Sequence, residues 1–155
     1  MNWGVISQMG MNVDRLRRDI VKQTEEEYFF ELLGKVSYNS NSQNRKQGAI
    51  LVKEGSIIST GSFDAYPLTV KVQEDVRESG SGAIENAIAN CAKLGISTRD
   101  ATLYTFLFPN DMTCKLIVRA GISEIRVAKP FLTDSLGANL CKEKHVKVFF
   151  FEKKV

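Results

Sequence analysis

The chain has 155 residues, 43% of them hydrophobic and 25% charged, which suits one globular domain with a core of its own. Its formal net charge is +3, from 21 basic and 18 acidic side chains, too even for charge alone to name a nucleic acid or a membrane as partner. No run of about 18 apolar residues offers a membrane span, the start lacks the apolar stretch of a secretory signal, and Cys91, Cys114 and Cys141 are odd in number and far apart; the expectation is a reduced, cytoplasmic protein without a disulfide framework.

Residues 1–23 read as an N-terminal extension. Val13, Leu16 and Ile20 recur at helical spacing among Arg15, Arg17, Arg18 and Lys22, the pattern of a short basic amphipathic helix. A single domain is expected over 24–155. Thr24 and Glu27 have the spacing of a capping box, and Phe29, Leu32, Leu33 and Val36 follow on one helical face. The polar stretch 37–47 is a loop. Ala49–Val52 and Ile57–Ile58, separated by Glu54-Gly55, predict a β-hairpin. Residues 62–82, with Pro67 and late glycines, read as a long loop of the kind that is often functional. A helix begins near Ala83, buries Ile84, Ala87, Ile88 and Cys91, and stops at Gly95. Strands are predicted at 102–108, 124–128 and 146–150, with helices after Asp111 and over 133–142 between them. Alternation on the last strand would bury Val148 and Phe150 and turn Phe149 and Phe151 to the other side.

From Gly82 onward the residues fall in a familiar frame. Asn86-Ala87-Ile88, Ala101-Thr102-Leu103-Tyr104, Pro109, Lys115, Ile117 and Ala120-Gly121-Ile122 occur in order and spacing, behind a hairpin reading Gly48 to Gly61. On these residues the chain resembles the zinc-dependent cytidine/deoxycytidylate deaminase family over roughly residues 25–128. The resemblance implies an α/β fold of the cytidine-deaminase type: a three-layer sandwich whose five-stranded mixed sheet carries helices on both faces. Because small relatives of this kind occur in bacteriophages, it also suggests a phage source.

The family's chemistry sits in H-x-E at one helix start and P-C-x-x-C at the next. Here the histidine position holds Gly82, the glutamate position Ile84, and the two cysteine positions Asn110 and Thr113. Where many relatives place a sugar-binding asparagine, this chain has Phe63, followed by Asp64. Zinc needs thiolate or imidazole ligands, and without it water keeps a pKa of about 15.7 instead of about 7. The chain is thus identified as a degenerate member, with no zinc, no other cofactor and no catalytic residue expected: not an enzyme but a binding or regulatory pseudoenzyme. The remnant cleft is expected to be lined by Phe63, Asp64, Gly82, Ile84, Asn110, Asp111 and Thr113. Ile84 should fill the space left by the missing groups, and Phe63 should either plug it or stack on a base.

Glu85 and Cys114 each stand one position late. One helical step turns a side chain by about 100°, so neither is expected to point into the cleft. His145, the only histidine, is expected at the surface. Gly80-Ser81-Gly82 is a poor dinucleotide fingerprint and reads as a flexible lead into the helix. The partners expected are further copies of the chain or another protein. Two alternatives stay open: a nucleotide or single-stranded nucleic-acid binder using the cleft, and an enzyme of another kind drawing on Asp64, Glu85, Asp111 or Cys114.

Overall fold

The computed structural model describes residues 23–41, 46–65 and 80–152. The basic helix expected within the extension, and most of the long loop after Ala65, lie outside these residues. In chain order the elements are helix α1 (Glu25–Tyr38), strands β1 (Gly48–Lys53), β2 (Ser56–Ser62), β3 (Asp64–Ala65) and β4 (Gly80–Ser81), helix α2 (Ala83–Leu94), β5 (Thr102–Thr105), α3 (Asp111–Arg119), β6 (Glu124–Val127), α4 (Leu136–Glu143) and β7 (Lys147–Phe150). None of the described helices is long and apolar enough to cross a membrane.

Local chemistry sets the ends of these elements. Thr24 Oγ1 accepts from the Glu27 amide (3.2 Å), and the Glu27 carboxylate accepts from the Thr24 amide (3.0 Å), completing the capping box of α1. Glu54 and Gly55 both take positive φ, 51° and 75°, the demand of a two-residue type I′ turn between β1 and β2. Gly95 closes α2 in the left-handed region. Ser135 caps α4 by accepting from the Ala138 amide.

The main sheet runs β2-β1-β5-β6-β7. β1 is antiparallel to both β2 and β5, while β5, β6 and β7 run parallel through α3 and α4. Successive β1 side chains go to opposite faces. Ile50 and Val52 pack under α1 with Phe29, Phe30, Leu33 and Tyr104. Ala49 and Leu51 join Leu103, Ile125 and Val127 beneath α2, α3 and α4, with Ala87, Cys91, Cys114, Ile117 and Cys141. The protein is the α/β three-layer sandwich expected, with a five-stranded mixed sheet and helices on both faces. Gly61 lets β2 lie close to α2, for a Cβ there would strike the backbone at Ala83 and Ala87; Ser59 Oγ and Asn90 Nδ2 seal the contact with bonds to the carbonyls of Ala87 and Thr60.

Two strand expectations are corrected. β5 ends at Thr105 rather than 108, because the Thr105 hydroxyl donates to the Leu107 carbonyl (3.0 Å) and turns the chain out of the sheet. On β7, Phe150 is 46% exposed instead of sharing Val148's burial. Phe149 lies under the Arg126 guanidinium, 4.4 Å from the ring centroid, and Phe151 stacks on Phe30. Arg126 also binds Glu26 of α1 at 3.1 Å and its neighbour Glu124, tying the first helix to the parallel half of the sheet.

Tyr104 sits inside that junction, 6% exposed and against Phe29 and Phe30. Burial pushes its phenol up to about 12; Arg126 acts against the shift, and Glu25, Glu26 and Glu124 add to it. The folded state therefore holds this proton more tightly than the unfolded chain, whose phenol titrates near 10. The stability so contributed is complete below pH 10 and is lost as pH rises from 10 through 12. Urea midpoints across that window should fall more steeply for the native protein than for Tyr104→Phe, and parallel curves would count against this placement of the phenol.

Candidate functional site

A cleft of about 730 Å³ opens where β5 and the starts of α2 and α3 meet. This is the carboxyl end of the parallel strands, where open α/β sheets leave room for ligands, and the volume is that of a small-molecule site. The short β3–β4 ladder pairs Asp64 with Ser81 and so brings the residues flanking it, Phe63 and Gly82, to the same wall. The turn forced by Thr105 sends Phe106, Leu107 and Phe108 to another wall, where Phe108 stacks on Phe131 with centroids 4.6 Å apart. Lys46, Gln47 and Lys129 complete the lining; Lys46 Nζ donates to the Ser40 carbonyl (2.8 Å).

Five of the seven residues expected at the cleft line it: Phe63, Gly82, Ile84, Asn110 and Thr113. Two do not. Asp64 accepts from Asn41 Nδ2 at 2.7 Å and faces a separate polar groove with Asn86 and Asn90. Asp111 accepts from the Gly137 amide at 2.7 Å and joins the starts of α3 and α4. In both cases a backbone or amide donor on a neighbouring element takes the carboxylate away from the cavity. Phe63 and Ile84, 3% and 8% exposed, form wall rather than plug, and the cleft beside them stays open.

Glu85 is the residue that helical periodicity misplaced. It stands in the first turn of α2, three residues after the N-cap Gly82, which makes no side-chain cap. The carboxylate folds back over that bare position: a Cβ on Gly82 would collide with Glu85 Oε2. Its other oxygen, Oε1, accepts from the Thr113 hydroxyl at 2.5 Å, so one hydrogen bond spans the starts of α2 and α3. The length and reach of the side chain, which a Cα-based angle ignores, bring it in. An acidic residue at the third helix position behind a glycine cap was the available signal.

Asn110 has local work. It caps α3, with Oδ1 accepting from the Thr113 amide at 2.9 Å. Cys114 is fully buried and donates to the Pro109 carbonyl at 3.5 Å, away from the cleft. Its hydrogen bond with Cys141, together with burial, raises the thiol far above its ordinary range, which removes it as a nucleophile. His145 is exposed, in the turn before β7.

Residues 23–129 match the family described as "Cytidine and deoxycytidylate deaminase zinc-binding region". The chain belongs to that family. It is 33% identical to ComE operon protein 2 of Bacillus subtilis (strain 168) over 63 residues, 41% of this chain and 33% of that protein's length. Among solved structures it is similar to the dCMP deaminase of cyanophage S-TIM5 in apo form, with TM-score 0.67 and 25% identity over 81% of this chain and 96% of that one. The same deaminase in complex with dCMP and dUMP gives TM-score 0.69 at 24% identity over the same shares. These matches correct the expectation that the chain is not an enzyme: the family and the similar phage structure are deaminases.

The family description implies zinc, and the donor set at these positions does not fit it. Gly82 has no side chain, the Asn110 oxygen is spent on a helix cap, the Thr113 hydroxyl is a neutral donor to Glu85, and the nearest thiol is turned into the core. Tetrahedral zinc takes imidazole, thiolate or carboxylate ligands, and no three such groups cluster among the described residues. Because Asn110 acts as a cap, Asn110→Ala should cost about 1 kcal/mol of stability and Asn110→Asp should keep most of it. Equal urea midpoints for native and Ala forms would refute the capping role.

Proposed function

We propose that this deaminase-family chain takes a pyrimidine deoxynucleotide of the deoxycytidylate class into the cleft between the starts of α2 and α3. The observation that carries the reading is the make-up of that cleft. Phe106 and Phe108 supply aromatic surface for a base, Lys46 and Lys129 supply positive charge for a phosphate, and Glu85 and Thr113 supply polar atoms. The similar phage deaminase, which has been solved with dCMP and dUMP, supports the choice of ligand.

Hydrolytic deamination adds water at C4 of cytosine and releases ammonia. A proton must leave the water and another must reach the departing nitrogen. Glu85 is the only carboxylate among the described residues lining the cleft, so this transfer falls to it in the proposed site. We further propose that the site works without a resident zinc, on the ground of its donor set.

Calorimetry with dCMP, a dCMP-to-dUMP assay and elemental analysis on one preparation test the reading together. Saturable binding is expected, with no stoichiometric zinc and with turnover that falls about 10²–10⁴-fold in Glu85→Gln. Binding without turnover would strip Glu85 of its proton-transfer role. Zinc at one per chain would overturn the donor-set argument. A deoxycytidine oligonucleotide that binds where dCMP does not would favour single-stranded nucleic acid as the ligand.

A second reading concerns self-assembly. Met112, Leu132 and Leu136 are 72%, 75% and 77% exposed around the adjoining starts of α3 and α4, the kind of apolar surface that another subunit covers. A second copy of this chain is the proposed occupant. Sedimentation should find a dimer or larger species that Leu136→Glu shifts toward monomer; a native protein that sediments as a monomer at tens of micromolar would dismiss it.

A further inference from the structure

We infer that Glu85, held by Thr113 and admitted by Gly82, is the residue that decides which base the cleft accepts, favouring a heterocycle that presents an amino group over one that presents a carbonyl. The inference rests on the nucleotide reading above and deepens it, placing base selection on a side chain one position away from the family's glutamate.

The two carboxylate oxygens of Glu85 have different roles. Oε1 accepts the Thr113 hydroxyl at 2.5 Å, which fixes the plane of the group. Oε2 lies over Gly82 and takes no hydrogen bond from the described residues. The carboxylate links two helix starts, ends at which the helix dipole favours negative charge, and it borders the cleft together with Asn110 and Thr113. A carboxylate is an acceptor only. Its free oxygen can receive an N–H from an exocyclic amino group, as Glu and Asp do from cytosine N4. Facing a carbonyl oxygen, it leaves two acceptors opposed and unpaired, and an unmade bond in a desolvated site is costly.

Gly82 is part of the device. A side chain there would occupy the volume that Oε2 now fills, so the loss of a side chain at 82 and the acidic residue at 85 form one arrangement. Thr113 is the other part: its amide is bonded to Asn110 and its hydroxyl to Glu85, which leaves Glu85 little freedom to swing. Glu85 is thus a specificity residue, and Thr113 and Gly82 are positioning residues that act through it.

The test measures dissociation constants for dCMP and dUMP by calorimetry on the full chain and four variants, with melting curves to establish folding. The native protein should favour dCMP by about tenfold or more. Glu85→Gln, whose amide can donate as well as accept, should bind both nucleotides with a preference below about twofold. Gly82→Ala should flatten the preference in the same way by evicting the carboxylate, and Thr113→Val should weaken it, while Thr113→Ser, which keeps the hydroxyl, should retain it. A native protein that binds dCMP and dUMP equally, or a Glu85→Gln form that keeps the native preference, overturns the inference and leaves the cleft as a nucleotide site. A native protein that binds neither overturns both.

Discussion

β1 has to be apolar on both faces, and the rest of the architecture follows from that constraint. Ile50 and Val52 lie under α1 while Ala49 and Leu51 lie under the other helices, all four nearly or fully buried. Because β1 is antiparallel to both neighbours, the hairpin strand β2 lies on one side of it and β5 starts the parallel half on the other. The second core can then gather Leu103, Ile125 and Val127 from the parallel strands beneath three helices. β5 and β6 each hand the chain to a helix on that side, so the starts of α3 and α4 collect at one end of the sheet, and α2 starts there too. The cleft is a consequence of that traffic.

Within the cleft, hydrogen bonds to backbone decide which polar groups remain available. Asp111 and Asn110 serve the starts of α3 and α4. Glu85 escapes such work because its N-cap is a glycine, and it reaches across to Thr113 instead. The junction around Arg126 shows the same economy elsewhere. One guanidinium meets Glu26, Glu124 and the face of Phe149, joining α1, β6 and β7, and Tyr104 is enclosed beside it.

Membership of the deaminase family and a donor set that does not suit zinc coexist in this chain. The matched frame reproduces the helix starts, the turn at Pro109 and the strand ends that build the cavity. At the two helix starts Gly82, Asn110 and Thr113 offer a hydrogen atom, an amide and a hydroxyl, and the Glu85 carboxylate enters the space between them. The buried frame and the polar side chains thus follow different rules: the first is set by packing, the second by which hydrogen-bond partners lie near.

The main helices and strands and their order were legible in the residues, but the short β3–β4 ladder lay inside what reads as a long loop, and the three-layer class came with the family resemblance. The capping box of Thr24 and Glu27, a turn that needs positive φ at Glu54 and Gly55, and apolar spacing of 2 or 3.6 are local demands that tertiary contact did not override. Phe63, Gly82, Ile84, Asn110 and Thr113, which the family resemblance placed beside a cleft, do line the cavity. Where a long polar side chain ends was not legible. Glu85 differs from the expectation because its carboxylate sits four bonds from the backbone and follows its hydrogen-bond partner, not its helical angle. Asp64 and Asp111 differ because donors distant in sequence, Asn41 and the Gly137 amide, claim them. The turn after Thr105 likewise depended on one hydroxyl finding the Leu107 carbonyl. Periodicity and caps, being local, were determined by the sequence; the partners of polar side chains, being set by what the fold brings near, were decided only by the tertiary structure.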